Sequence, residues 1–257
     1  MNKDELLKQW QREEAHAFQG WDFSHLTGRW DMPDAPWDYK GIIKSYLKDT
    51  DTLLDMGTGG GEFLLTLNHP HKNTYVTEAY EPNYELCKKV LEPLGITVGR
   101  TYSDDAFNPD DVLPFEDSLF DVIVNRHESF DLQEVDRVLK RGGYFITQQV
   151  GSKDGNEFAE RLNDNFIFGN PSHTIENYVN TLKSLGYNVL QTDESLYPVK
   201  FYDVGALVFY AKIVVWEFPE FSTRTHFDKL IECQKEVEEK GFLQGIGHRF
   251  LIVAQKM

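Results

Sequence analysis

The chain has 257 residues, 40% of them hydrophobic and 26% charged, a globular composition that argues against disorder. Its 26 basic and 42 acidic residues give a net charge of −16, a surface that repels phosphate backbones, so no tight nucleic-acid binding is expected. The longest apolar candidate, Val204 to Trp216, is too short to span a bilayer and is broken by Lys212. The N-terminus shows no basic region followed by an apolar stretch, as a secretory signal requires. Cys87 and Cys233 each fall among apolar residues and read as buried free thiols rather than a disulfide. Together these features predict a cytoplasmic protein with no membrane partner.

Met1 to Gly20 reads as an amphipathic helix with Leu6, Leu7, Trp10, Ala17 and Phe18 on one face. Trp21 to Trp37, with three tryptophans, reads as an ordered loop that packs on the fold or covers a site. From Asp51 short apolar runs alternate with helical patterns. Seven strands are expected: Thr52–Met56, Thr74–Thr77, Ile96–Val98, Phe120–Val124, Tyr144–Gln148, a stretch near Asn188 to Leu190, and Arg249–Ala254. Helices are expected over Glu62–Leu67 and Tyr84–Leu94, then around Leu132 to Leu139 with Gly142-Gly143 as the stop, Ile175 to Leu185 and Phe227 to Val237. The segment from Val204 to Ala211 fits a helix or a strand. Alternation of this kind implies a doubly wound, mostly parallel seven-stranded α/β sheet. The expected organisation is an N-terminal helix and cover over residues 1–40 and a single ligand-binding domain over residues 41–257.

The strongest local signal is Asp55-Met56-Gly57-Thr58-Gly59-Gly60-Gly61, placed after a strand and before a helix. Glycines permit a tight turn and close approach of a ligand to the main chain, and the helix N-terminus offers unpaired N–H groups. A nicotinamide fingerprint counted from Gly57 would need glycine at residue 62. Glu62 stands there, and its carboxylate would repel a pyrophosphate. The run fits instead an acid followed by the alternate glycines Gly57, Gly59 and Gly61. Glu78 follows at the end of the next predicted strand, with Glu81 as a rival acid. Further on come Leu113-Pro114-Phe115-Glu116-Asp117-Ser118-Leu119-Phe120-Asp121 and Glu134-Val135-Asp136-Arg137-Val138-Leu139-Lys140-Arg141-Gly142-Gly143.

In this order, across residues 51–150, these stretches resemble class I S-adenosylmethionine-dependent methyltransferases, and most of all the type 11 small-molecule group. The resemblance implies a Rossmann-like fold, S-adenosylmethionine as cosubstrate and a small-molecule methyl acceptor. It implies that Asp55 binds the methionine amino group, that Gly57 and Gly59, with Thr58 and Gly61 in the same turn, line the cofactor, and that Glu78 holds the ribose. An acid before Leu113 would meet the adenine amine, and Asp105, Asp110 and Asp111 are candidates. The fourth predicted strand ends in Asn125-Arg126-His127-Glu128, where ligands sit in open α/β sheets. Asn125 is expected beside the cofactor and the reacting methyl. His127 is a candidate base toward the acceptor and Glu128 a candidate to orient the acceptor or to act as the base, or both only cap the strand and the next helix. Gln148-Gln149 lines the pocket or finishes its strand. His69 and His71 flank Pro70 without a cluster of carboxylates or thiols, so no metal site is expected. An RNA methyltransferase and a non-catalytic S-adenosylmethionine-binding protein stay open as alternatives. The oligomeric state and the acceptor atom are not legible.

Overall fold

A computed structural model describes residues 2–18, 22–101, 112–164, 166 and 171–257. The chain opens with α1 (Lys3–Glu14), capped by the Asn2 side chain, which accepts the Asp4 N–H, and it buries Leu6 and Trp10 one turn apart. After β1 (Trp30–Asp31), Asp38 caps α2 (Tyr39–Tyr46) by accepting the Gly41 N–H. The alternation then runs β2 (Leu53–Met56), α3 (Glu62–Thr66), β3 (Thr74–Glu78), α4 (Glu81–Val90), β4 (Thr97–Arg100), β5 (Phe120–Arg126), α5 (Leu132–Val138) and β6 (Leu139–Val150). The tail comprises α6 (Asn156–Leu162), α7 (Ile175–Ser184), β7 (Tyr187–Phe201), α8 (Val204–Ile213), α9 (Phe227–Lys240) and β8 (Leu243–Lys256).

The eight strands form one sheet in the order β1-β7-β8-β6-β5-β2-β3-β4. Strands β2, β3, β4, β5 and β6 pair parallel with their neighbours among themselves, whereas β8 pairs antiparallel with β6. This is the expected doubly wound architecture with one strand more than expected. The addition is β1, whose Trp30 and Asp31 pair with Phe201 and Lys200. Two residues inside an aromatic loop leave no periodicity to read.

Contacts divide the chain into two units. One takes Pro36–Val150, His173–Glu194 and Arg249–Met257; it holds β2 to β6 with two apolar layers. The other takes Met1–Ala35, Gly151–Ser172 and Ser195–His248, and packs around Trp10, Phe158, Phe201, Phe209 and Leu230. The expectation that residues 41–257 act together therefore meets a different grouping, in which the N-terminal segment shares a core with two later stretches. Helix α8 lies at the centre of that core. It is buried from Val204 to Ala211 on every face, so the segment is the helix its spacing fits, and its all-round apolar character is what left a strand open as well.

The chain order fixes where a ligand can sit. From β2 it moves outward through β3 and β4, then returns to the other side of β2 with β5 and continues outward to β6. The order thus reverses between β2 and β5, and Met56 stands in register with Asn125 at the carboxyl ends. Open α/β sheets bind ligands at such a switch point. Among the described residues no helix is long and apolar enough to cross a membrane.

Candidate active site

Strand β2 delivers a buried acid, Asp55, to the carboxyl edge of the sheet. The backbone then turns through Gly57, Gly59 and Gly61, with φ of 64°, 64° and 84°, so the three alternate glycines take the left-handed conformation that other residues avoid. At Gly57 the space is also closed. A Cβ there would lie 2.4 Å from Cβ of Glu128 and 2.5 Å from its Oε2. Gly57 and Thr58 donate their backbone N–H groups to the Thr77 carbonyl at 3.1 and 3.2 Å, which ties the turn to the end of β3. Thr58 Oγ1 donates to Asp55 Oδ2 at 2.7 Å.

Glu78 ends β3 and is buried against the same turn. Its Oε2 accepts the Gly59 N–H at 2.8 Å, and its Oε1 accepts the N–H groups of Ala79 and Tyr80, each at 3.1 Å. Burial raises the carboxyl pKa, while these backbone donors and the Asn83 side chain oppose the rise. Glu81 is the rival that does not qualify. It is exposed at the start of α4 and pairs with Arg100. Burial pushes Asp55 up to about 6, Thr58 and Arg126 opposing and Glu78 adding to the rise. Two carboxylates thus brace one glycine turn in a setting that resists their charge.

Two buried polar atoms lack a hydrogen-bond partner here: Oδ1 of Asn83, beside Glu78, and Nδ2 of Asn125, opposite Met56. Buried polar atoms without partners are rare enough to mark a place for a ligand. Asn125 Oδ1 is used internally, accepting from Gln149 Nε2 and, at 3.4 Å, from Thr147 Oγ1. Tyr39 Oη donates to the backbone carbonyl of Asn125 at 2.8 Å and fixes the strand end from α2. Cys87, fully buried on α4, donates its thiol hydrogen to the Gly59 carbonyl at 2.8 Å, and its pKa is pushed up to about 12 by burial. Sequence reasoning missed Asn83, Tyr39 and this use of Cys87.

Beyond Asn125, the Arg126 guanidinium lies 4.3 Å from the centre of the Phe63 ring. His127 follows with φ of 67° and donates its backbone N–H to the Gln148 carbonyl at 2.9 Å. Its ring contacts the Gln148 side chain at 3.0 Å, and Gln148 in turn accepts the Trp37 indole N–H at 2.7 Å. Protein crowding around the imidazole and the positive charges of Arg249 and Arg126 hold its pKa well below the usual histidine value. Glu128 packs on Gly57. Asp105, Asp110 and Asp111, the adenine candidates, lie outside the described residues. His69 is buried and bonds the Asp51 carbonyl, and His71 bonds that of Leu94. No group of side chains able to hold a metal ion occurs among the described residues.

With this geometry in hand, comparisons with known proteins are specific. Residues 54–147 match the methyltransferase domain family of type 11. No curated protein matches the sequence. Among solved structures, YcgJ of Bacillus subtilis aligns with TM-score 0.53 and 17% identity over 85% of this chain and 97% of its own. A protein of Bacillus halodurans provisionally assigned as a methyltransferase aligns with TM-score 0.51 and 16% identity over 85% of this chain and 98% of its own. A Deinococcus radiodurans protein of unknown function aligns over 99% of this chain and 98% of its own, with TM-score 0.53 and 12% identity. At these identities the solved structures speak for the fold. The family match spans Asp55, the glycine turn, Glu78, Asn125 and His127, so the stretch that builds this site is the part of the chain that resembles the type 11 methyltransferase domain.

Proposed function

We propose that this protein transfers a methyl group from S-adenosylmethionine to a small-molecule acceptor. The observation that carries the reading is the pair of buried acids, Asp55 and Glu78, bridged by the three left-handed glycines. The donor set fits an adenosyl amino acid. Asp55 would hold the ammonium of the methionine portion. Glu78 and the free Oδ1 of Asn83 would accept the ribose hydroxyls, and Nδ2 of Asn125 would donate to the ligand from the β5 side. When bound, S-adenosylmethionine supplies a methyl group activated by the sulfonium charge.

The chain's own work is alignment and exclusion of water, because an in-line displacement that extinguishes a positive charge needs little covalent help. A base is required only where the acceptor must lose a proton. The choice of a small acceptor rests on the net charge of −16, which disfavours a polyanion. A cytoplasmic setting belongs to the same proposal and is supported by the two buried free cysteines.

Isothermal calorimetry and thermal unfolding test it. S-adenosylmethionine and S-adenosylhomocysteine are expected to bind and to stabilise the fold by about 2.7 kcal/mol at a hundredfold excess over Kd. Binding of NAD in their place would refute the proposal.

A further inference from the structure

The donors and acceptors at the tips of β5 and β6 admit one protonation pattern. An indole nitrogen can only donate. The amide atom of Gln148 that lies 2.7 Å from Trp37 Nε1 is therefore its oxygen. The other terminus of the same amide is then NH2, which has hydrogens to give and no lone pair to offer. That terminus stands 3.0 Å from Nε2 of His127. A donor facing Nε2 makes this nitrogen the acceptor and leaves the ring proton on Nδ1. An amide is ordinarily free to be turned over, but here Trp37 removes that freedom. An imidazolium would set one N–H against another.

The backbone reinforces the arrangement. The His127 N–H donates to the Gln148 carbonyl, and the residue holds the left-handed φ of 67°. Chain and ring are both tied to one glutamine, across the β5–β6 pairing in which Arg126 stands opposite Gln148. Nδ1 of His127 has no hydrogen-bond partner among the described residues, and the residue is exposed to solvent. The lone pair that a general base would need is thus engaged, while a free N–H points to no internal acceptor.

We propose that Trp37 and Gln148 are positioning residues that hold His127 as a neutral Nδ1–H donor, and that this N–H binds a carbonyl or carboxylate oxygen of the methyl acceptor. The ring then orients the acceptor and does not remove its proton. The role toward the acceptor rests on the methyl-transfer reading above; the tautomer does not. The positive charges of Arg126 and Arg249 further disfavour a second proton on the ring.

Nitrogen-15 NMR of the full chain, with the His127 signals assigned by their loss in His127→Gln, reads the tautomer directly. The wild type is expected to favour Nδ1–H by about tenfold or more at pH 7, the value of one hydrogen bond made rather than opposed. Gln148→Glu places an acceptor at Nε2 and is expected to reverse the preference. Trp37→Phe releases the amide and is expected to bring the two tautomers toward equal populations. It carries the test if circular dichroism shows that Gln148→Glu does not fold. An Nε2–H ring or an imidazolium in the wild type overturns the proposal, as does a tautomer ratio unmoved in the folded variants. A wild type with the expected tautomer that binds neither S-adenosylmethionine nor S-adenosylhomocysteine refutes the methyl-transfer reading, and with it the role toward the acceptor, and leaves the tautomer held by Trp37 and Gln148 standing.

Discussion

Replacing Asp55 with asparagine separates what the site needs from what the fold would prefer. In the folded chain this carboxyl is pushed up to about 6, chiefly by burial; in the unfolded chain it titrates near 3.9. The folded state therefore binds more protons between these values. The stability that the neutral acid allows is fully present below about pH 4 and is lost as pH rises through about 6. Its total is about 3 kcal/mol, of which about 1.4 kcal/mol falls between pH 5 and pH 8. The amide introduced by Asp55→Asn would keep an oxygen for the Thr58 hydroxyl but would bury an NH2 group. If unpaired, that group costs about 1–3 kcal/mol, so the two effects nearly offset at neutral pH. The pH dependence is free of this ambiguity, because the penalty of the amide is the same at every pH. Urea unfolding of wild type and Asp55→Asn at pH 5 and pH 8 should show the variant gaining about 1.4 kcal/mol relative to wild type over that span. A difference that does not change with pH would refute the argument, since Asp55 would then titrate at its ordinary value. Calorimetry supplies the functional half. Wild-type affinity for S-adenosylhomocysteine should fall about tenfold per pH unit below about 6, as the carboxylate facing the ligand ammonium is lost, and the variant should be weak throughout.

Two further substitutions check the turn itself. Glu78→Ala strands the N–H groups of Gly59, Ala79 and Tyr80 and should weaken cofactor binding more than tenfold in calorimetry, whereas Glu81→Ala removes only an exposed ion pair with Arg100 and should shift it by less than about 0.5 kcal/mol. Gly57→Ala meets both a left-handed φ and the Glu128 side chain, and a cost of about 2 kcal/mol should lower the melting temperature by about 4–8 °C.

The parallel half of the sheet was legible chiefly where its strands are buried, as in β2 and most of β5. Phe120–Val124, apolar but for Asp121, opens β5, and Leu53, Leu54 and Met56 of β2 are likewise buried. The tail was harder, and glycines explain part of it. Gly245 and Gly247 look like breaks, yet both lie inside β8. A Cβ at Gly245 would stand 2.5 Å from the Phe158 ring, and one at Gly247 2.3 Å from that of Tyr197. Their role is to admit aromatic rings against the strand. Gly142-Gly143 looks like a helix stop, but β6 already begins at Leu139. The pairing jumps from Phe120↔Leu139 to Val122↔Tyr144, so the glycines sit in a bulge. Strand β7 runs to fifteen residues through Gln191-Thr192-Asp193-Glu194, where alternate side chains are exposed and the apolar signal fades. At the other end, α1 stops at Glu14 rather than Gly20, where His16 leaves the helical pattern to stack on His25.

The same distinction runs through the site. Asp55, the alternate glycines and Glu78 could be found because they follow one another closely and their spacing is dictated by a strand, a turn and a second strand. The contacts that define His127 could not, because one spans 21 residues to Gln148 and the next spans 111 from Gln148 to Trp37. Residue type alone suggests a base at His127; the partners decide otherwise, since one indole N–H fixes the amide and the amide fixes the ring. The turn and the β5 tip then divide the labour. Asp55 and Glu78 are acceptors made reluctant to ionise by burial, and in the proposed function they would meet the cationic and hydroxylated parts of one ligand. Arg126, Asn125 Nδ2 and His127 Nδ1–H are donors at the adjacent strand end. Acceptors on one side of the switch point and donors on the other would orient two molecules with different polarity toward each other, which is the arrangement that group transfer without covalent catalysis requires.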